Sequence, residues 1–403
     1  MSSITLQMHR PLSKWRVLFG YGFRPFFLLA ALDAPINMIV WLVVFFRPDL
    51  WPATGIPAVY WHAHEMLFGF VAAAIGGFLL TAVPGWTGRS SYSKSTLILL
   101  SAIWLAGRLA MAPGLLPPKI GAIIDLAFFP ALALALAPSL IRARKFRNLP
   151  FIVFLLVLFL ANLCFQLGVS KVWIPGVDAG LGIALDVVAL LIAIVGGRII
   201  PAFTKSGLAR YGTAPQLSSA KPVEILSIGS IIAMFVADLA MPLSTVDGVL
   251  ALVAGLAQAI RFTRWQGHRT VRDPLIWVLH LGYAWLTMGF FLKALWLLAA
   301  TPFAEKWFHA FTIGAFTTMI LAVMTRASLG HTGRALIAPR NIAICYGLIS
   351  AAALFRVFGP ALLPADYSEL IAAAGLSWIA SFFIFLWIYL PILVAPRMDG
   401  KPG

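Results

Sequence analysis

The sequence predicts an all-α polytopic membrane protein, and three observations lead to that fold class. The chain has 403 residues, of which 61% are hydrophobic and only 11% charged, and its mean hydropathy is +0.93. A soluble globular domain is about half apolar and about a quarter charged, so an ordinary soluble enzyme, a disordered chain and a coiled coil are excluded. The apolar runs, such as 151–163, are unbroken, whereas strands of a membrane barrel alternate apolar and polar residues.

Apolar runs bounded by Pro, Gly and charged residues define twelve helices, which we expect to form a single integral membrane domain over residues 1–403. A helix of roughly 20 residues crosses the bilayer core, so the chain length accommodates twelve. The break at Pro242, between the seventh and eighth helices, is the weakest boundary. The predicted helices cover 23–46, 60–83, 95–112, 119–138, 149–169, 179–201, 222–241, 244–262, 274–299, 305–325, 340–359 and 369–395.

The basic residues predict the orientation of these helices. If the amino terminus lies inside, most of the 30 Lys and Arg residues fall in inside segments. The bias alternates loop by loop, as the positive-inside rule requires. A formal net charge of +16 would indicate nucleic acid in a soluble protein. Here the basic residues lie between apolar runs, so we expect a lipid bilayer as partner, no nucleic acid, and both termini in the cytoplasm.

The sequence also contains an internal repeat. His64 and Gly69 in the second helix correspond to His309 and Gly314 in the tenth, each pair 245 residues apart, and the same offset aligns GWTGR with GHTGR. The end of the sixth helix resembles the second more weakly. General packing of small residues is one explanation. The other is three four-helix units in which helices 2, 6 and 10 line a common centre.

Five histidines in or beside the helices are functional candidates, because an ionisable group in a membrane is costly. They fall at two depths. His62, His64 and His309 lie near the predicted outer ends of their helices, whereas His280 and His331 lie toward the cytoplasm. The hydrocarbon core is about 30 Å thick, so the sequence predicts two separate sites.

The outer group predicts a copper site. Imidazole suits copper and a thioether selects it, so we expect His62, His64 and His309 to bind copper with Met66 nearby. On a regular helix His64 points about 200° away from His62, so these two converge only if the first turn is irregular. The alternative is an interfacial cap in which the histidines bond to loop carbonyls.

The inner group predicts a haem site. His280 and His331 would bind the iron, and the propionates would lie on arginines, since a guanidinium fork binds carboxylates well. The candidate arginines are Arg24, Arg198, Arg326 and Arg334. Snorkelling positive-inside charge is the alternative for these arginines. A rival haem site lies between His64 and His309, which the internal repeat favours.

Acidic residues also occur inside the predicted helices. We expect Arg108 to pair with Asp125, and Lys293 with Glu65 or Asp186, because these counter-ions lie at similar depth. A proton path through Asp186 is the alternative.

Several ordered blocks of the sequence resemble the NnrS family, from about residue 15 to 395. They are GFRPFFLLA at 22–30, WHAHEMLFGF at 61–70, GFLLTAVP at 77–84, GRIIPAFT at 197–204, HLGY at 280–283 and VMTRASLGHTGR at 323–334. The resemblance implies a bacterial inner-membrane protein that contains haem, expected to be of the b type, and copper. It also implies a role in the nitric oxide response and protection against nitrosative stress. It does not say which histidines hold which cofactor.

Three functions compete at this stage. The first is a haem–copper protein that binds or detoxifies nitric oxide or its iron-nitrosyl products, with redox turnover left open. The second is a transporter of a metal complex or haem, which twelve helices fit well. The third is a membrane sensor or chaperone, which the short loops disfavour. The electron donor and oligomeric state do not follow from the sequence.

Overall fold

The computed structural model describes residues 13–52, 55–212, 217, 220–339 and 341–400. Within these residues every regular element is a helix. Ten helices are long and apolar enough to cross a membrane. The predicted fold class, an all-α polytopic membrane protein, is therefore confirmed.

Each of the twelve predicted helices has a counterpart in the structure. The ten candidate spans are α1 (Phe23–Phe46), α2 (Ala58–Thr87), α4 (Pro118–Arg142), α5 (Phe146–Val169), α6 (Gly176–Arg210), α7 (Lys221–Ala240), α8 (Thr245–Thr263), α9 (Pro274–Ala299), α10 (Pro302–His331) and α12 (Pro364–Val394). The helices at the third and eleventh positions are shorter, with 17 and 16 residues: α3 (Lys94–Ala110) and α11 (Ile342–Val357). Residue 340, where the eleventh helix was predicted to begin, lies outside the described residues.

The break predicted at Pro242 is present. α7 ends at Ala240, and α8 begins at Thr245. The Ser244 hydroxyl accepts a hydrogen bond from the backbone N–H of Asp247 at 3.2 Å. This contact satisfies one of the N–H groups that a helix start leaves without an intrahelical partner, so the sequence supplies both the break and the new helix start.

α2 and α10 each contain a π-helical stretch, at Glu65–Val71 and Ala310–Thr317. Each stretch begins directly after a histidine of the internal repeat, His64 in α2 and His309 in α10. Wider turns of this kind inside α-helices occur frequently at functional sites. Because α2, α6 and α10 are predicted to run inward, we call the end of the bundle where they begin the predicted outer end, and the opposite end the predicted inner end.

The contacts between helices recur after every four helices. α1 packs on α2, α5 on α6, and α9 on α10. α3 packs on α4, α7 on α8, and α11 on α12. The successive groups are joined by contacts of α4 with α5, α8 with α9, and α12 with α1, which closes the bundle. Three four-helix units would produce this order of contacts, but the repeat architecture stays a prediction.

Candidate functional site

His62 lies one turn into α2 at the predicted outer end. Its ring stacks on Trp41 of α1, with 4.6 Å between ring centroids and 17° between the planes. The stacking fixes the orientation of the imidazole. The Nδ1 atom of His62 is buried and has no hydrogen-bond partner among the described residues, so one nitrogen of this ring is available to a ligand.

His309 approaches His62 from the first turns of α10. The two rings lie within the range of electrostatic interaction of one another. The Nδ1 atom of His309 lies 3.4 Å from the Thr312 hydroxyl. His62 of α2 and His309 of α10 therefore lie close enough to interact electrostatically.

A cation lies beside this histidine pair. Arg356, the second-last residue of α11, interacts electrostatically with both His62 and His309. Arg356 also lies within electrostatic range of Tyr367 in α12 and of Glu305 in α10. The described neighbours of the pair therefore come from α1, α10 and α11.

His64 faces the opposite side of α2, as the predicted 200° separation from His62 requires. It is fully buried. Its Nδ1 lies 2.9 Å from a Glu65 carboxylate oxygen, and its Nε2 lies 3.1 Å from both Asp125 Oδ2 and the Asn162 amide oxygen. Both ring nitrogens are therefore engaged, and the structure does not place His64 with His62 and His309.

Met66 lies one turn after His62, within the first residues of the π-helical stretch. It is half-buried and packs against the core. Among the described residues, no group of three or more His, Cys, Asp or Glu side chains is arranged to hold a metal ion. The candidate metal ligands at this end of the bundle are therefore His62, His309 and Met66.

The predicted ion pair between Arg108 and Asp125 is confirmed. Of the two partners predicted for Lys293, Asp186 does interact electrostatically with it, whereas the alternative partner, Glu65, is wrong. Arg108 bridges both acids, binding Glu65 at 2.6 Å and also Asp125. Lys293 instead pairs with Asp238 and Asp247. Glu65 follows His64 on the side of α2 toward α3 and α4, which explains why Arg108 reaches it and a lysine on α9 does not.

At the predicted inner end, His280 and His331 have different neighbours. The His280 Nε2 lies 2.8 Å from the Thr204 hydroxyl. The His280 Nδ1 is buried without a hydrogen-bond partner among the described residues. A Cβ added to Gly267 would lie 2.5 Å from it, so the backbone of Gly267 lies close to that nitrogen. His331 stacks on Tyr21, with ring centroids 5.8 Å apart, and lies near Phe23. The contacts described for the two histidines share no residue, and the structure does not bring these histidines together.

The four candidate arginines occupy three different surroundings. Arg24 is buried and donates to the carbonyls of Leu393 and Ala395 at 2.6 and 2.9 Å, which holds the end of α12. Arg334 lies in electrostatic range of Arg24, and partial burial lowers the pKa of its guanidinium. Arg326 lies over the Phe203 ring, 4.0 Å from the centroid. Arg198 is exposed and lies near Arg147.

An apolar cavity of about 80 Å³ lies between α2, α6 and α10. The sequence did not predict this cavity, although it placed the same three helices around a common centre. The cavity is lined by apolar side chains and one glycine: Phe27, Val71, Ala74, Ile75, Phe78, Val188, Leu191, Ile192, Val195, Gly196, Ile199, Met319, Ile320, Val323 and Met324.

The sequence does not predict Trp41 and Arg356 as neighbours of His62 and His309. Neither forms a motif with His62 or His309, so only tertiary structure reveals them. The two glycines of the internal repeat, Gly69 and Gly314, did indicate a feature of the structure. A Cβ at Gly69 would lie 2.9 Å from an Arg108 nitrogen, and one at Gly314 would lie 2.6 Å from the Trp285 ring. Both glycines allow a close approach one to two turns after a repeat histidine.

Comparison with known proteins agrees with the resemblance of the sequence blocks. A family model described as NnrS protein matches residues 17–397, which is nearly the whole chain. A search of curated proteins finds no match.

Proposed function

The chain belongs to the NnrS family, membrane proteins linked to the nitric oxide response, and we propose that it binds copper between His62 and His309 and handles nitric oxide there. The observation that supports this proposal is the electrostatic proximity of two imidazoles, from α2 and α10, at the predicted outer end. Both rings come from segments that the sequence analysis singled out, and both precede a π-helical stretch.

The residues at this pair fit copper. The His62 Nδ1 is buried without a partner among the described residues, and neutral imidazole is a good copper ligand. Met66, one turn further along α2, offers a thioether, which favours Cu(I). The neighbouring Arg356 guanidinium repels a divalent ion more strongly than a monovalent one, which also favours Cu(I). Copper bound there would supply a binding site for nitric oxide.

The protein groups around the pair have separate tasks. His62 and His309 bind the metal. Trp41 holds the plane of the His62 ring by stacking, and Thr312 contacts the His309 ring. Arg356 places a fixed positive charge beside the site. His64 belongs to a separate buried network on the other side of α2 and takes no part in binding copper in this proposal.

The residues proposed for haem do not fit a haem held between two histidines. One nitrogen of His280 contacts Thr204 and the other faces the backbone of Gly267. His331 lies against Tyr21 and Phe23, and the four arginines do not surround one group. The rival placement between His64 and His309 meets the same difficulty, because both nitrogens of His64 are engaged.

The central cavity favours a small apolar ligand over a charged cargo. Nitric oxide is a small and nearly apolar gas that partitions into the bilayer. A cavity of about 80 Å³ lined only by apolar groups and a glycine can hold such a molecule, since apolar cavities of about 150 Å³ stay dry and bind xenon or benzene. The cavity offers no polar partner to a metal complex, which weighs against the transporter alternative.

Metal analysis of purified variants tests the proposal. We expect His62→Ala and His309→Ala to lose most of the bound copper, because each removes one of two nitrogen donors. His64→Gln and His280→Ala serve as controls and should retain it. The optical spectrum recorded before and after addition of nitric oxide then reports whether the metal binds the gas. Retention of copper in both His62→Ala and His309→Ala would overturn the assignment.

A further inference from the structure

A second buried charge cluster joins four helices at the predicted outer end. Asp186 of α6, Asp238 of α7 and Asp247 of α8 meet Lys293 of α9. The Lys293 ammonium pairs with Asp238 and lies 3.0 Å from Asp247 Oδ1. The side chains of Lys293 and Asp247 have no exposed surface, and Asp186 is 3% exposed. The cluster is distinct from the histidine pair and is not part of the proposed copper site.

The charges within the cluster do not balance. If all three carboxyls are ionised, Lys293 neutralises only one of them. Each uncompensated ion buried in a protein costs several kcal/mol, and within a membrane charged residues generally pair with one another or face water. The electrostatic partners described for Lys293 are the same three aspartates. The cluster therefore needs further positive charge.

The closeness of the three acids identifies a proton as that charge. Asp186 and Asp247 both lie within interaction range of the Asp238 carboxyl group. An ionised carboxylate only accepts hydrogen bonds, whereas a protonated one also donates. A carboxyl–carboxylate hydrogen bond therefore requires a proton on one of the two partners. In addition, Asp186 Oδ2 and Asp247 Oδ2 are buried and have no hydrogen-bond partner among the described residues, so both oxygens can still accept a hydrogen bond.

We propose that Asp186, Asp238, Asp247 and Lys293 form a site that binds and releases protons at the predicted outer end of the bundle. A carboxylate of the cluster takes up H⁺ to become a carboxylic acid and donates it to its neighbour, and the reverse step returns H⁺ to water. Asp238, whose side chain is 19% exposed, is the point of exchange with solvent. A proton is favoured over an alkali cation because Lys293 already occupies the centre and would repel a metal ion.

The site lies next to the helix that carries His309. The Lys293 ammonium is 5.1 Å from the centroid of the Trp307 ring, and Trp307 precedes His309 by two residues. Trp307 does not titrate. Among the described residues, the titratable groups that interact at this site on α6 to α9 are Asp186, Asp238, Asp247 and Lys293. The proposal does not depend on copper binding, and each can fail without the other.

Infrared spectroscopy of the purified full-length protein tests the proposal. We expect a band from protonated carboxyl groups that shifts in D₂O and diminishes in Asp186→Asn and in Asp247→Asn. Lys293→Met should increase the band, since removal of the ammonium leaves three carboxyls that must take up more protons. Asp125→Asn is the matched control. Asp125 is a buried aspartate held by Arg108, His64, Asn162 and Gln166, so its replacement should leave the band unchanged.

Three results would overturn the proposal. The first is no protonated-carboxyl band in the unmodified protein. The second is a band that Asp186→Asn, Asp238→Asn and Asp247→Asn all leave unchanged. The third is thermal stabilisation by sodium over choline at equal ionic strength that disappears in the same variants, which would identify a cation site instead. Asparagine preserves the shape of each side chain, and the melting temperature shows whether each variant is folded.

Discussion

Arg108 is the residue whose replacement most directly tests the buried network around His64. Its guanidinium binds Glu65 at 2.6 Å and also binds Asp125. The exposed fractions of the three side chains are 9%, 2% and 0%. Arg108→Met keeps an unbranched chain of similar length but removes the charge. Two buried carboxylates then lose the cation that they share.

The expected cost follows from this burial. Removal of one partner of a buried ion pair destabilises a protein by about 3–5 kcal/mol, because the other charge remains buried without compensation. Here two acids are affected, although Asp125 keeps its contacts with Asn162 and Gln166. We therefore expect a loss of about 3–5 kcal/mol in the free energy of unfolding, measured by thermal and denaturant unfolding in detergent. The double variant Arg108→Met, Glu65→Gln should recover part of it.

The chain offers a matched control at the surface. Arg47 binds Asp49 at 2.7 Å, nearly the distance in the buried pair, but the two side chains are 63% and 59% exposed. An exposed pair contributes little, since water solvates both ions when the pair is broken, and Arg47→Met should leave the unfolding transition unchanged. If Arg108→Met were tolerated as well as Arg47→Met, the inference that the network stabilises this end of the bundle would be refuted.

Three further predictions follow from the cavity, the glycines and the charges. Xenon binding, measured by ¹²⁹Xe magnetic resonance, should be lost in Ala74→Phe, which fills the central cavity, and kept in Leu134→Phe, on an exposed surface; equal binding would argue against the cavity. Gly314→Ala should cost about 1–3 kcal/mol by overpacking, because its Cβ would lie 2.6 Å from the Trp285 ring. Gly347→Ala, with open space around it, should be neutral or stabilising. Reporter fusions after residues 145 and 268 should be cytoplasmic; a periplasmic result at 145 would refute the predicted topology.

The sequence alone was sufficient for the class of protein and the positions of its helices. Long apolar runs have no stable alternative to a helix in a membrane, because the backbone must satisfy its own hydrogen bonds there. The break at Pro242 was predictable for a similar local reason, since proline lacks an N–H and Ser244 caps the next helix. The pairing of Arg108 with Asp125 was also predictable, because the two residues lie at similar depth in helices joined by a short connection.

The partners of each site residue depended on tertiary structure. Helical periodicity sets the angle between His62 and His64, but it does not say which neighbouring helix each ring meets. The structure places Trp41 and Arg356 beside His62, and the acids of α2 and α4 beside His64. Lys293 likewise pairs with α7 and α8 instead of α2. Depth along the membrane can be read from residue order, but lateral position cannot, because it depends on how twelve helices pack side by side.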